Sequence, residues 1–385
     1  MPIRLIHTAD IHLDMCFAGA GFPPGFAQRR RQSLRDVFSR IVERAGEWPA
    51  DALLIAGDVF ELDRAGRDTA NFLAAVFEGA PHVPVFIAPG NHDPCSPHSP
   101  YVTEDWPDNV HIFRRPQWER RDLVHVPLSV HGFGFDGPDV SHNPFGELAV
   151  PHDDGRVHVA VAHGSARGHQ PEGKAAYAPF DVETAAPAGL RYLALGHFHG
   201  MTEARGAHGG RVFYSGAPEG HGFGETGMRG YLEVLIEDGS VDVKPVPSAQ
   251  AVYHNHRLDV SGMTNAQEVV GAIRALPRES GKTNLVRVTL TGAAAPALQE
   301  AIPAVRESVG DVFAYLEVVD QTVPEDDYED LAQDATSLGM FLQQINKEIE
   351  DAGSEARRAM LLRARQVGLF AYRGQPLPIR GLEGS

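Results

Sequence analysis

Short apolar runs bounded by turn residues recur in residues 1–220, and they limit the possible folds more than any other feature. They read IRLIHTAD, DALLIAGD, VPVFIAPGN, LVHVPLSVHGFGF, RVHVAVAHG, RYLALGHFH and RVFYSGAP. Continuous apolar strands of this kind lie in sheets that are covered on both faces. Residues 29–48 and 67–80, between the first three runs, carry apolar side chains at helical spacing. This alternation of strand and helix predicts an α/β fold with layered sheets.

Five of these runs end in side chains that can bind metal ions. Residues two apart in an extended chain share a face, as in the DxH after the first run and the HxH after the sixth. In open α/β sheets, binding sites form at the carboxyl ends of the strands. The sequence therefore predicts one pool of ligands at that edge: Asp10, His12, Asp58, Asn91, His163, His197 and His199.

The size and chemistry of this pool indicate two metal ions. Three oxygen side chains and four imidazoles are too many for one tetrahedral site. They suit two adjacent ions bridged by a carboxylate such as Asp58. Mixed oxygen and nitrogen ligands at five to six coordination favour Mn²⁺, with Fe or Zn as alternatives. Two ions roughly 3.5–4 Å apart clamp the attacking and leaving oxygens of a phosphoryl group, so we predict a metal-dependent phosphoesterase.

His92 and Asp93 directly follow the predicted ligand Asn91, and both are assigned a catalytic role. If Asn91 faces a metal, His92 faces the substrate side of the loop. There it can protonate the leaving oxygen or stabilise the charged transition state. Asp93 is expected to orient the imidazole of His92 through a hydrogen bond. Histidines outside the strand ends, including His221, are expected to be structural.

The order of these motifs resembles the calcineurin-like metallophosphoesterase superfamily and, within it, the SbcD-type DNA repair exonucleases. The segment FYSGAPEGHGFGETGMRGY looks like that family's segment after the last metal motif. The resemblance implies that His92 is the catalytic histidine. It also implies two ligand sets: Asp10, His12, Asp58 and His199 for one ion, and Asp58, Asn91, His163 and His197 for the other.

The segment after the second motif separates two branches of this superfamily. Phosphoprotein phosphatases carry Asp-Arg-Gly directly after the motif, whereas this chain reads GDVFELDRAG. GDVF followed by an acidic residue is similar to the nucleases. The resemblance therefore implies a DNA exonuclease, with endonuclease activity as a further option. It also implies DNA repair together with an SMC-like coiled-coil ATPase, and it leaves homodimer formation open.

Three segments of the chain differ in character. Residues 1–245 are the predicted metallophosphoesterase (nuclease) domain, a layered β-sandwich core flanked by helices. Residues 250–320 alternate strand and helix and resemble a small α+β capping domain. Residues 325–372 are expected to be helical, with an apolar stripe that begins at Leu338 and a second helix capped by Ser354. This helical pair either packs on its own domain or docks the ATPase.

The net charge of −17 argues against nucleic-acid affinity over the whole surface, although a local basic path is compatible with it. This charge favours an alternative, a phosphatase or a cyclic-nucleotide or small-molecule phosphodiesterase of the same superfamily. A third alternative is a scaffold subunit with structural metals, and the intact His92 argues against it. No apolar run of transmembrane length and no signal peptide are found, which predicts a cytoplasmic protein without a membrane partner.

Overall fold

A computed structural model describes residues 2–17, 22, 24–151, 153–169, 175–205, 211–324 and 328–372. The chain divides into two units, Met1–Tyr253 and His254–Ser385. The second unit contains two separate apolar clusters, one built from residues 258–318 and one from residues 331–361. The finer division into domains 1–245, 250–320 and 325–372 stays a prediction.

The apolar runs of the first unit form strands of two six-stranded sheets. In spatial order, the first sheet contains β12 (Ser240–Pro247), β11 (Gly230–Glu237), β1 (Ile3–Thr8), β2 (Ala52–Ile55), β3 (Val85–Ile87) and β4 (Val110–Ile112). The second contains β5 (Glu119–Asp122), β6 (Leu128–Phe133), β7 (Val157–His163), β8 (Leu190–Gly196), β10 (Arg211–Tyr214) and β9 (Thr202–Arg205). Strands β1 to β4 are parallel to one another, and so are β6, β7, β8 and β10.

The two sheets pack face to face around a shared apolar core. Leu5 and Leu54 of the first sheet meet Val130 and Tyr192 of the second, and all four side chains are fully buried. Burying an aliphatic side chain of this size contributes about 1.5–3 kcal/mol before conformational entropy is subtracted. The predicted α/β fold with a layered β-sandwich core is therefore confirmed.

Two long helices follow the first two strands, at the places where the sequence predicts them. Helix α1 (Pro24–Glu47) packs against β2 and against α2 (Arg67–Glu78). Phe38 of α1 and Phe77 of α2 are fully buried and lie edge to face, with ring centroids 5.8 Å apart. Two single-turn α-helices, α3 (Pro100–Thr103) and α4 (Val182–Ala185), and a 3-10 helix at Phe145–Glu147 complete the helices of this unit among the described residues.

The element order predicted for residues 250–320 is present, and all of it after Tyr253 belongs to the second unit. The strands are β13 (Ala251–Asp259), β14 (Thr283–Thr291) and β16 (Tyr315–Asp320), with α5 (Ala266–Arg274) and α6 (Pro296–Val309) between them. They form one sheet in the order β13-β14-β16. The short strands β15 (Ala293–Ala294) and β17 (Val323–Pro324) pair separately.

Three helices follow: α7 (Tyr328–Gln333), α8 (Ser337–Glu350) and α9 (Glu355–Tyr372). The predicted apolar stripe buries Leu342, Ile345 and Ile349 of α8. The hydroxyl of Ser354 accepts a hydrogen bond from the backbone N–H of Arg357, at 3.3 Å, so the predicted cap of α9 is present.

Candidate metal centre

The loops after β1 and β2 run side by side and bring the first three predicted ligands together. The backbone N–H of Asp10 donates to the carbonyl of Gly57, and that of His12 donates to the carbonyl of Asp58, both at 3.0 Å. Because β1 and β2 are parallel neighbours, these loops leave the sheet at the same edge. Asp10, His12 and Asp58 are at most 4% exposed.

Four of the seven predicted ligands have a strained backbone. Asp10, His12, Asp58 and His197 have φ values of 53°, 51°, 53° and 104°. A non-glycine residue in this region costs on the order of 1–3 kcal/mol, and such strain concentrates at functional sites because the surrounding structure must hold it. The strain therefore marks the same positions that the strand-end motifs mark.

The glycines that precede three of the ligands are required by space. A Cβ atom on Gly57 would lie 2.6 Å from His163 Nδ1, and one on Gly90 would lie 2.4 Å from Asp58 Oδ1. A Cβ atom on Gly196 would lie 2.0 Å from the carbonyl oxygen of Ala56. The Gly-Asp, Gly-Asn and Gly-His pairs of the sequence therefore allow the strand ends to approach each other closely.

Asp58 lies at the centre of the cluster. Its Oδ2 is 3.3 Å from His163 Nε2 and 3.7 Å from His12 Nε2, and His163 Nε2 is 3.1 Å from Asn91 Oδ1. Two groups of side chains whose ligand atoms lie within 4.8 Å of one another share this carboxylate: Asp10, His12 and Asp58 form one group, and Asp58, His163 and His197 form the other. A carboxylate between two ligand groups is the arrangement that a bridged pair of ions needs.

Three predicted histidine ligands have one ring nitrogen held by a hydrogen-bond acceptor. Nδ1 of His12 is 2.7 Å from Glu61 Oε1, Nδ1 of His163 is 2.8 Å from the carbonyl of Ala56, and Nδ1 of His199 is 2.6 Å from Glu225 Oε1. Such partners fix the tautomer and leave Nε2 as the electron-pair donor. Nε2 of His12 is buried without a hydrogen-bond partner among the described residues.

The charges in the cluster favour a cation. Burial acts to raise the pKa of Asp58, yet the neighbouring imidazoles of His163 and His12 hold it well below its usual range. Burial acts to lower the pKa of His163, yet the carboxylates of Asp58 and Asp10 raise it to about 9. Asp58 is therefore a buried anion, and a buried anion requires a positive partner such as a metal ion or an imidazolium.

His92 faces an open cavity of about 830 Å³, which is also lined by five of the predicted ligands: His12, Asp58, Asn91, His197 and His199. Its side chain is 44% exposed, and its Nδ1 lies 2.9 Å from Glu61 Oε2. The hydrogen bond to Glu61 raises the pKa of His92 to about 9. The imidazole is therefore protonated at neutral pH and can donate a proton into the cavity.

The role predicted for Asp93 is wrong. Its carboxylate is fully buried and accepts hydrogen bonds from the backbone N–H groups of Asp58, Val59 and Gly90 and from the hydroxyl of Tyr101. These four bonds, at 2.7–2.9 Å, tie the loops after β2 and β3 together. Glu61 takes the predicted place beside His92. Asp93 thus stabilises the loops that carry the predicted ligands and does not contact the imidazole of His92.

Two further residues lie in the cluster without having been predicted there. Glu225 bonds His199 as described, and His221 lies beside it with its ring 5.1 Å from that of His199. Both belong to the segment that resembles the family's last motif, which was the one available signal. His221, which was expected to be structural, thus lies next to the predicted ligands, and burial lowers its pKa to about 4.

The sequence profile described as calcineurin-like phosphoesterase matches residues 3–201. The chain belongs to this family. The family predicted from the motif order is thus confirmed, and the protein is a metallophosphoesterase of a class that uses a dinuclear metal site. Within the described residues, no helix combines the length and apolarity that crossing a bilayer requires.

Three relatives of this phosphoesterase share a little over a quarter of the aligned residues. The uncharacterized metallophosphoesterase YhaO of Bacillus subtilis (strain 168) is 27% identical over 78% of this chain and 74% of its own. The DNA double-strand break repair protein Mre11 of Haloferax volcanii is 28% identical over 86% of this chain and 70% of its own. Mre11 of Methanopyrus kandleri is 27% identical over 56% of this chain, and the match spans 49% of that relative.

Proposed function

We propose that this phosphoesterase is a two-metal-dependent phosphodiesterase that degrades DNA as an exonuclease, with endonuclease activity as a further option. The observation that carries the proposal is the position of Asp58 between two ligand groups, beside His92, which is hydrogen-bonded to Glu61 and faces an open cavity. Mn²⁺ is the metal that this mixed oxygen and nitrogen set favours, with Fe or Zn as alternatives.

The donor set fits a pair of divalent ions. Asp10, His12, Asp58 and His199 would hold one ion, and Asp58, Asn91, His163 and His197 would hold the other. When bound, such ions supply Lewis acidity that polarises a phosphate and acidifies water. Asn91 adds an oxygen ligand without a negative charge that would repel a phosphodiester.

His92 supplies the proton for the leaving oxygen in this proposal. Glu61 keeps the imidazole protonated and oriented by binding Nδ1, which leaves Nε2–H as the donor. General acid catalysis of this kind contributes about 10²–10⁴-fold to the rate. Because His92 is exposed whereas the other histidines of the site are buried or half-buried, it can reach a substrate in the cavity.

Three observations support DNA as the substrate. Two relatives are named as DNA double-strand break repair proteins. Asp-Arg-Gly does not follow the second motif. Arg114, Arg115 and Arg121 line a common surface pocket on an otherwise acidic chain. Arg114 and Arg115 follow β4, which is parallel to β3, so they leave the sheet at the same edge as Asn91. A local basic group of this kind can contact phosphates next to the site.

A role in DNA repair with an SMC-like coiled-coil ATPase, in the cytoplasm, belongs to the same proposal. Helices α8 and α9 support it because they expose large apolar side chains. Met340 is 72% exposed, Met360 is 57% exposed and Leu362 is 40% exposed. Exposed apolar groups on an amphipathic helix are typical of a surface that receives a partner helix.

A metal-dependence screen of hydrolysis tests the proposed activity. End-labelled linear DNA, bis-p-nitrophenyl phosphate and p-nitrophenyl phosphate would each be offered with Mn²⁺, Mg²⁺ or Zn²⁺. We expect Mn²⁺-dependent degradation of DNA that falls at least about 100-fold in His92→Ala and is lost in Asp10→Ala. His125→Ala is the matched control, because His125 is exposed and lies outside the cluster.

Two results would contradict the proposal. Turnover of the monoester or diester with intact DNA would favour a phosphatase or small-molecule phosphodiesterase, for which the acidic surface argues. Full activity in both His92→Ala and Asp10→Ala would show that the reaction does not depend on this cluster. Unchanged activity in His125→Ala alone is the expected outcome for the control.

A further inference from the structure

His221 lies in the loop between β10 and β11, next to the predicted ligands. Its ring packs edge to face against His12, with centroids 5.0 Å apart, and against His199, with centroids 5.1 Å apart. The side chain is 3% exposed. The sequence motif that carries the predicted ligands does not include this histidine.

Glu225 orients His221 together with His199. Its Oε2 accepts a hydrogen bond from the backbone N–H of His221 at 3.0 Å, and its Oε1 lies 3.5 Å from His221 Nδ1. The same Oε1 is 2.6 Å from His199 Nδ1. The Nδ1 atoms of both rings thus face one carboxylate, which directs Nε2 of His221 away from Glu225.

Nε2 of His221 is buried and has no hydrogen-bond partner among the described residues, and the same holds for Nε2 of His12. A buried polar atom without a partner is costly, so such atoms normally have a ligand or a hydrogen bond. One ring nitrogen from each of His12, His199 and His221 lies within 4.8 Å of the other two. Two unpaired, buried nitrogens in a cluster of three imidazoles indicate a shared cation.

We propose that His221 supplies an additional imidazole ligand, through Nε2, to the ion position formed by Asp10, His12, Asp58 and His199. The inference rests on the metal centre of the proposed function and extends it. The position then has three nitrogen ligands, which suits Zn²⁺, Co²⁺ or Fe²⁺ better than a set with fewer imidazoles. Its partner position, with Asn91 and Asp58, keeps a larger share of oxygen relative to imidazole.

The alternative role for His221 is contact with the substrate. Its low side-chain exposure, compared with that of His92, argues against this role. Glu61 binds His12 and His92, and Glu225 binds His199 and His221 in a similar way. The side chain of His92 is 44% exposed, whereas that of His221 is 3% exposed. His221 borders the cavity, but its nearly buried ring offers little surface to a substrate, whereas its buried Nε2 can reach an ion between the loops.

Metal titration of the full-length protein tests the inference. EDTA-treated wild type and His221→Ala would be titrated with Zn²⁺, Co²⁺ and Mn²⁺ by calorimetry, and the visible absorption of the Co²⁺ forms would be recorded. We expect two ions per wild-type chain. In His221→Ala, we expect affinity for one Zn²⁺ or Co²⁺ ion to fall at least about tenfold, Mn²⁺ affinity to fall less, and the Co²⁺ bands to shift.

Two control variants distinguish a failure of the two-ion centre from a failure of His221 as its additional ligand. His12→Ala should lose one ion, and His125→Ala should bind as wild type. Fewer than two ions in wild type, or two in His12→Ala, would overturn the metal centre itself. Two ions in wild type together with unchanged affinities in His221→Ala would overturn only the inference.

An equal loss of affinity for all three metals with unchanged Co²⁺ bands would also overturn it, because that pattern belongs to a residue that only positions His199. Thermal unfolding of the metal-free variants checks that they fold. If His221→Ala does not fold, His221→Asn carries the same test, since it keeps a polar side chain but removes the imidazole.

Discussion

The carboxylate of Glu61 is hydrogen-bonded both to His92, the proposed general acid, and to His12, a predicted metal ligand. In Glu61→Gln, the negative charge is lost, so the pKa of His92 should fall from about 9 towards its ordinary value of 6.5. Since the protonated form donates the proton, activity that wild type loses only as pH rises through about 9 should be lost at lower pH in the variant. At pH 8 we expect turnover of bis-p-nitrophenyl phosphate to fall about 10- to 100-fold.

Full pH–rate profiles of wild type and Glu61→Gln with saturating Mn²⁺ are the measurement. Glu78→Gln, an exposed change on α2, is the control. An alkaline limb at the same pH in both proteins would show that Glu61 does not set the protonation of His92. An unchanged alkaline limb together with a higher Mn²⁺ concentration needed for saturation would assign Glu61 to the support of His12 instead.

At this scale, the sequence predicts which residues gather but not which of them touch. The predicted ligands meet because each directly follows a strand, and parallel strands end at one edge. The hydrogen-bond partner predicted for His92 was wrong, because the carboxylate of Asp93 instead accepts hydrogen bonds from three backbone N–H groups and from the hydroxyl of Tyr101. Glu61 and Glu225 come from other loops, and no spacing rule relates them to the imidazoles they hold.

The strand β1 is tied to the opposite sheet by His7. Its Nδ1 lies 2.8 Å from the hydroxyl of Tyr192, and its Nε2 lies 3.1 Å from the carbonyl of Leu195. Burial lowers the pKa of His7 to about 3. The unfolded chain, with a value near 6.5, binds more protons between these two pH values, so stability falls as pH falls through this window.

We therefore expect His7 to contribute about 2 kcal/mol to the loss of stability between pH 7.5 and pH 5. Urea unfolding of EDTA-treated wild type and His7→Gln at both pH values measures it, with His125→Gln as the control. The variant should lose less stability on acidification than wild type. Equal losses in wild type and variant would mean that His7 accepts a proton in the folded state at little cost.

The elements themselves were predictable to different degrees. Apolar runs and helical stripes indicated β1 to β3, β6 to β8, β10, α1, α2 and the element order of residues 250–320. The hairpin of β11 and β12 was not predicted, although Asp238 and Gly239 have the positive φ values of a tight turn and Asp-Gly signals one. Half-exposed edge strands such as β5 and β12 carry too few apolar residues for that pattern to detect them.

For the whole molecule, the open question is whether the exposed apolar residues of α8 and α9 receive an ATPase coiled coil or another copy of this chain. In Met360→Glu and Leu362→Glu, a charge would enter the contact. We expect affinity for the coiled-coil base of an SMC-like ATPase to fall at least about 30-fold, the cost of a central interface residue. Hydrolysis of bis-p-nitrophenyl phosphate should not change.

Calorimetric titration with the coiled coil, together with light scattering of the protein alone, separates the two partners. Val124→Glu is the matched control, because Val124 is fully exposed in the first unit. A dimer that dissociates in both helix variants, without binding to the coiled coil, would assign this surface to self-association. Because α8 already buries Leu342 and Ile349 within the unit, the side chains left outside should decide the partner without unfolding the helices.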